Sequence, residues 1–337
     1  MRRAAHLTRR RLAATLAVLG LGLALSVVGA TLVGPAPASL ARALAPGGAA
    51  GPDGIIIFRT RLPRVLLGAV VGASLATAGT ALQGVLRNPL ACPHVLGISG
   101  GAALAGVLAI LAGASVASLA IPAAAFGGAL GALALVWFGA RAGGRTTPHA
   151  ILLVGVVFNT FAAAMIMLVE ALATYTQVRG VLFWIMGSLS TQSYGLVAAV
   201  AALALAGLGW LVRHAHDVNL LGVGDEDAYE LGVDVEAVRR AVFVAASILV
   251  AAAVSVSGMI GFVGLIVPHL LRLLLGPDHR LLLPASFVGG ATFLVWCDAL
   301  ARTALGAAEV PVGVVTALAG APFFLVLLRR SLRRAAA

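Results

Sequence analysis

The chain has 337 residues, of which 61% are hydrophobic and only 10% charged, with a mean hydropathy of +1.06. Soluble domains carry roughly 25% charged residues, so a water-soluble enzyme is excluded and the long apolar stretches must face lipid. The formal net charge is +11, and all 23 basic residues are arginine. Without lysine there is no Walker A phosphate loop and no lysine Schiff-base chemistry, so any ATP used is hydrolysed by a separate chain. These arginines lie between apolar spans rather than on one soluble face, which favours membrane topology over nucleic-acid binding.

In chain order, MRRAAHLTRRR leads into an apolar run over 12–34. GPAPAS at 34–39 loosely resembles a signal cleavage site, but the run has the ~20-residue length of a spanning helix rather than the roughly 7–15 of a signal core. A retained first span is expected. Further spans are expected at 65–86, 95–113, 116–140, 149–173, 195–212, 241–260, 262–275, 281–304 and 312–328, which makes ten in an all-α polytopic membrane protein. Runs such as VVGASLATAGTALQG at 70–84 and AFGGALGALAL at 125–135 place small residues where helices approach closely in lipid. ISGGAALAG at 98–106 and SGMIGFVGLIVPH at 257–269 carry enough Gly and Pro to predict broken or short helices near a path, with plain close packing as the alternative.

With both termini inside, the basic N-terminus (1–11) and tail (329–337) join Arg87, Arg141, Arg145, Arg213, Arg239, Arg240, Arg272 and Arg280 on the cytoplasmic side. Arg42, Arg59, Arg61, Arg64, Arg179 and Arg302 fall outside, and the inward excess supports this orientation. The spacing from Arg64 to Pro93-His94-Val95-Leu96 is close to that from Arg240 to Pro268-His269-Leu270-Leu271, which suggests an inverted-topology repeat.

Seven of the twelve acidic residues, Asp217, Asp225, Glu226, Asp227, Glu230, Asp234 and Glu236, fall in the largest expected cytoplasmic loop, 214–240. GDEDAYELG at 224–232 reads as a two-turn helix, with acids in its first turn and Gly232 suited to a C-terminal cap. Asp234 suits the N-cap of a second short helix, VEAVRR, leading into span seven. A solvated loop is the alternative; the helix signals with Tyr229 and Leu231 favour a docking site for a cytoplasmic partner. Outside, RTRLPR at 59–64 sets three arginines beside the second span, where snorkelling anchors are the plain alternative. Asp298 and Arg302 stand at i,i+4 in span nine, and positive outer positions from both ends of the chain suit an acidic external partner.

Within the membrane, Gln83, Asn159, Glu170 and Asp298 are the polar groups to weigh. Glu170 lies near the outer end of span five and Asp298 has its arginine, so neither reads as a lone mid-bilayer proton carrier. Cys92 and Cys297 form no ligand or disulfide pattern and read as structural, and His214-x-His216 is too short a pattern for a metal site.

Six strings resemble the FecCD/cobalamin-type permease subunits of binding-protein-dependent ABC importers. They are RLPR at 61–64, LQGVLRNPLACPHVLGISGGA at 82–102, FWIMGSL at 183–189, GDEDAYELGV at 224–233, SGMIGFVGLIVPHLLRLLLGPDHRLLLPAS at 257–286 and EVPVGVVTALAGAPFFLVLL at 309–328. The resemblance covers nearly the whole chain in order. It implies one permease domain over 1–337 of the type II ABC importer architecture in the cytoplasmic (inner) membrane, without a cofactor or metal of its own. It also implies as partners a second permease subunit, identical or paralogous, two ATPase subunits holding ATP and Mg, and an external substrate-binding protein. The cargo would be a ferric siderophore, haem or cobalamin, with an iron complex the commoner case. By the resemblance, Arg61, Arg64 and Arg302 meet acidic residues of the binding protein. Gly224, Asp225, Glu226, Ala228, Tyr229, Glu230, Leu231 and Gly232 couple to the ATPase, and Asn88, Leu90, Thr146 and Thr147 narrow the cytoplasmic exit. Cys92, where the family usually has an acidic or small residue, and Arg87 before the NPL turn are departures with no function assigned. The competing reading is a stand-alone ion-coupled carrier or exporter with Glu170 as its proton site; it leaves the acidic loop and the outer arginines without a purpose. A membrane-embedded enzyme lacks support.

Overall fold

A computed structural model describes residues 8–115, 118–142, 145–189, 193–306 and 309–335. Fifteen helices follow one another: α1 (Arg9–Leu32), α2 (Leu40–Leu44), α3 (Pro52–Gly54), α4 (Leu62–Val85), α5 (Ile98–Leu111), α6 (Ala120–Gly139), α7 (Pro148–Ala171), α8 (Tyr175–Ile185), α9 (Tyr194–Arg213), α10 (Ala215–Leu221), α11 (Asp225–Glu230), α12 (Val235–Ser257), α13 (Val263–Leu275), α14 (His279–Thr303) and α15 (Val312–Ala335). A short antiparallel ribbon, Arg141–Ala142 against Arg145–Thr146, joins α6 to α7. Among the described residues, seven helices are long and apolar enough to cross a membrane, counting 52–85 as one, and α5, α13 and the apolar part of α15 are shorter. Together they are the ten spans expected.

Local chemistry fixes several of the starts. Thr8, Thr147, Ser193, Asp234 and Asp278 are side-chain N-caps of α1, α7, α9, α12 and α14, each accepting from a backbone N–H two or three residues on. Gly97, at φ +83°, opens α5 and Gly258, at φ +66°, closes α12; both need the left-handed region open to glycine.

Burial sorts the spans. Of the most apolar stretch of α4, 83% is buried inside the chain, and of α12 78%, against 6% of α1 and 17% of α7. So α4 and α12 form the centre with α14, and the outer helices show apolar faces to the membrane. Because lipid tails are as apolar as leucine, close van der Waals fit must hold such helices together. The small residues supply it where Gly72 meets Gly290 (α4 on α14), Gly79 meets Gly264 (α4 on α13) and Gly101 meets Gly128 (α5 on α6), each close enough that an added Cβ strikes the facing backbone. α1 belongs to this bundle: Trp296 Nε1 on α14 donates to Ser26 Oγ at 3.0 Å.

Several expected elements differ. VEAVRR is not a separate helix but the opening of α12, because Asp234 caps the long helix directly and nothing ends it before Ser257. The helix of span four starts at Ala120, not 116, and that of span three at Ile98. The short helices α2, α3, α8 and α10 lie outside the spans and loop helices that the sequence predicts. ISGGAALAG and SGMIGFVGLIVPH do form short helices, the second after irregular backbone at 258–262 with Phe262 at φ +67°. α4 and α12 are each followed by a turn and a short apolar helix. Pro93-His94 lies in a turn, however, whereas Pro268-His269 lies inside α13.

Candidate coupling face, gate turns and outer arginine cluster

One end of the bundle collects the turn after α4, the ribbon, α10, α11 and the starts of α12 and α14. In α11, Ala228 is fully buried while Glu226, Asp227, Tyr229, Glu230 and Leu231 point outward, Tyr229 with 75% of its surface exposed. Gly232 follows at φ +86°, in the C-cap position expected of it. The result is a firm acidic and apolar face whose back is fixed. α10 is tied to α14 by Asn219, which donates through Nδ2 to Asp278 Oδ1 at 2.8 Å and accepts from the His279 backbone N–H at 2.9 Å. Hydrogen bonds from Arg280 and then from Asn219 outweigh partial burial and hold the Asp278 carboxyl down at about 2.

Asp225, at the start of α11, points the other way. Its Oδ2 accepts from Arg239 Nη2 of α12 at 2.9 Å, and its Oδ1 pairs with Arg87 Nη2 at 3.0 Å. Arg87 has φ +47°, an uncommon conformation for a residue with a Cβ. Thr146 is buried: its hydroxyl donates to Glu236 at 2.8 Å and its carbonyl accepts from Arg239 Nη1 at 2.8 Å. Thr147 is exposed and spent on capping α7, accepting from Ala150 N–H at 3.2 Å. Asn88 Oδ1 closes its own turn on Leu90 N–H at 2.9 Å, leaving the Leu90 side chain exposed. Of the residues expected at the exit, Thr146 is thus brought against the start of α12. Arg87, which sequence reasoning passed over, reaches Asp225.

Beside these turns a cleft of about 550 Å³ is lined by Cys92, His94, Ser99, Met186, Met259 and Phe262 among others, with no acidic residue on its walls among the described residues. Asn159 Nδ2 donates to the His94 carbonyl and braces the turn. Burial pushes the Cys92 thiol up, which keeps it protonated and fits a structural cysteine.

At the other end, Asp298 is fully buried between two arginines. Arg64 Nε donates to it at 3.0 Å and Arg302 Nε at 2.9 Å, while Arg64 also reaches Glu309 at 2.8 Å. Arg302 caps α1 through the carbonyls of Val33 (3.0 Å) and Ala30 (3.1 Å), and Arg61 does the same at Leu32 (3.0 Å) and Ala36. Arg61 and Arg302 are therefore buried guanidiniums that tie the first span to the bundle, Arg64 lies at the edge of the cluster, and Arg59 is exposed. On the same rim, Arg42 pairs with Asp53, which also accepts from the Ser39 N–H at 3.0 Å. Glu170 Oε1 is buried without a hydrogen-bond partner among the described residues. No group of three or more His, Cys, Asp or Glu suited to a metal is present among the described residues.

A ten-span helical bundle with an acidic two-helix face at one end and a glycine-knit centre defines a membrane permease. The chain matches the FecCD transport family over residues 22–330 and belongs to it. It is 46% identical over 275 residues, 82% of this chain and 73% of the relative, to the cobalamin import system permease protein BtuC of Halobacterium salinarum. To the hemin transport system permease protein HmuU of Yersinia pestis it is 42% identical over 278 residues, covering 82% and 83%. Among solved structures, a metal-chelate type ABC transporter in an inward-facing conformation superposes with a TM-score of 0.82 at 33% identity, covering 94% of this chain and 99% of that one.

Proposed function

We propose that the chain is the permease subunit of an ABC importer in the cytoplasmic membrane. In this reading it moves a metal chelate or tetrapyrrole inward by alternating access, with both termini in the cytoplasm. The observation that carries this reading is the α10–α11 face: Glu226, Tyr229, Glu230 and Leu231 exposed together on helices held from behind by Ala228, Asn219 and Asp225. An isolated carrier has no use for a rigid acidic and aromatic platform; a partner ATPase docking there does. The missing lysine agrees, since the phosphate-gripping loop must then belong to a partner.

The cleft supports a bulky, weakly held cargo. Its apolar walls carry no counter-charge that would trap a chelate. A second permease subunit would supply the facing wall, and the Asn88–Leu90 turn with Thr146 and Thr147 would narrow the exit. At the outer end, an external binding protein would meet the arginine cluster through Arg64, whose partner Glu309 is half exposed and replaceable by a visiting carboxylate. Arg61 and Arg302 would act from beneath it. Cobalamin and haem, carried by relatives, are the first cargoes to test, with ferric siderophores beside them. The experiment is purification of the tagged chain with the proteins that accompany it, followed by ligand binding of the external protein to haem, cobalamin and ferric siderophores. A co-purifying ATPase and one bound ligand are expected; a chain that transports without any ATPase overturns the reading.

A further inference from the structure

Three separate pieces of the chain meet at one buried guanidinium, and a fourth joins them through Asp225. Arg239, 3% exposed in the second turn of α12, holds Asp225 of α11 at 2.9 Å and the Thr146 carbonyl of the α6–α7 ribbon at 2.8 Å. Glu236, one turn earlier on α12, lies 3.9 Å from Arg239 Nη1 and takes the Thr146 hydroxyl at 2.8 Å and its N–H at 3.3 Å. All three polar groups of Thr146 are therefore committed to α12. Arg87 adds the turn after α4 from the far side of Asp225, at 3.0 Å.

A buried charge is costly once it loses its partner, and a hydrogen bond to a charged group is stronger and more directional than a neutral one. Moving α11 without moving Arg239 and Thr146 would expose both penalties at once. α11 is otherwise attached to the bundle mainly through Ala228 and α10, whereas the ribbon is a two-residue ladder with little stiffness of its own. The charged contacts are thus the stiffest connection between the outward face of α11 and the ribbon.

We propose that Asp225, Arg239, Glu236 and Thr146 form a mechanical link that carries displacement of α11 to the α6–α7 ribbon, with Arg87 drawing the turn after α4 into the same movement. These are positioning residues: none of them needs to touch cargo or nucleotide. The proposal rests on the importer reading above, and it assigns Asp225 an inward task distinct from the outward docking face of Glu226, Tyr229 and Glu230.

The test uses the full complex of permease, ATPase and binding protein in proteoliposomes, supplied with whichever of haem, cobalamin or a ferric siderophore the native complex accumulates. Asp225→Asn and Thr146→Val should each keep the ATPase bound and hydrolysing within about twofold of native, while uptake per ATP falls about tenfold or more. Thr146→Ser, which restores the hydroxyl, should recover native coupling. Native coupling in both Asp225→Asn and Thr146→Val overturns the link and leaves the importer reading standing. Loss of the ATPase from Asp225→Asn also overturns it, because Asp225 would then be a docking residue. Should the variants fail to insert, hydrogen exchange on the native complex decides: nucleotide should change protection at 145–147 and 225–231 together, and a response confined to 225–231 overturns the link. A native complex without ATP-dependent uptake overturns the importer reading, and the link with it.

Discussion

Gly72 and Gly290 stand back to back where α4 crosses α14, each so close to the other's carbonyl that a single methyl group on either would strike backbone. Backbone cannot swing aside as a side chain can, so the two central helices would have to part. Gly72→Ala or Gly290→Ala should each cost about 1–3 kcal/mol in detergent-solubilised protein, the usual range for overpacking a tight contact. Gly20, on α1 with no atom near its missing Cβ, is the control. Thermal unfolding of the three variants checks this, and an unchanged midpoint for Gly290→Ala would contradict the packing.

Arg302 joins Asp298 to the end of α1, so truncating it leaves a buried carboxylate short of one partner and two helix-end carbonyls uncapped. Arg302→Ala should lower stability by about 3–5 kcal/mol, the cost of breaking a buried pair. Protease cleavage in the 33–39 segment should rise with it. Arg59, exposed on the same rim, should tolerate alanine within about 0.5 kcal/mol. Equal effects of the two substitutions would show that the cluster is not structural.

Asp278 predicts a pH dependence with a definite sign. Its carboxyl sits at about 2 in the folded chain, below the ~3.9 of an unfolded aspartate. A lowered folded value means that the ionised group stabilises the fold above pH ~4 and that this contribution disappears as pH falls from about 4 towards 2. The midpoint difference between native chain and Asp278→Asn should therefore be constant between pH 5 and 7, roughly, and shrink at pH ~3. A difference that grows on acidification would contradict the assignment.

Glu170→Gln should leave ATP-dependent uptake within about twofold of native, and a protonophore should not abolish it. Uptake reduced to background by either treatment would revive the ion-coupled carrier with Glu170 as its proton site.

Much of this arrangement is legible in the residues because the signals are local. The long apolar spans, the Gly and Ala runs, the acids of 217–236, the caps Asp234 and Gly232 and the Asp298–Arg302 pair all act within one helix or one turn. The rim helices α2, α3 and α8 were not, since short elements at the membrane surface lack the ~20-residue apolar length that marks a span. The tasks of Arg61 and Arg302 were hidden for another reason. Their acceptors, the carbonyls at the end of α1, lie far away in sequence and carry no side-chain signature. The same holds for Arg87 with Asp225 and for Thr146 with Glu236: a loop arginine or threonine advertises nothing until the fold brings its partner near. Arg330, Arg333 and Arg334 of the tail count toward the expected topology, and the first seven residues lie outside the described ones.

Whether a separate ATPase drives this chain through the α10–α11 face is decided by cargo uptake into proteoliposomes holding the native complex or its Glu226→Arg/Glu230→Arg variant. Both side chains are exposed, so the variant should insert and fold as native does. ATP-dependent uptake by the native complex, falling about tenfold or more in the variant together with loss of bound ATPase, is the predicted result; undiminished uptake in the variant would contradict it.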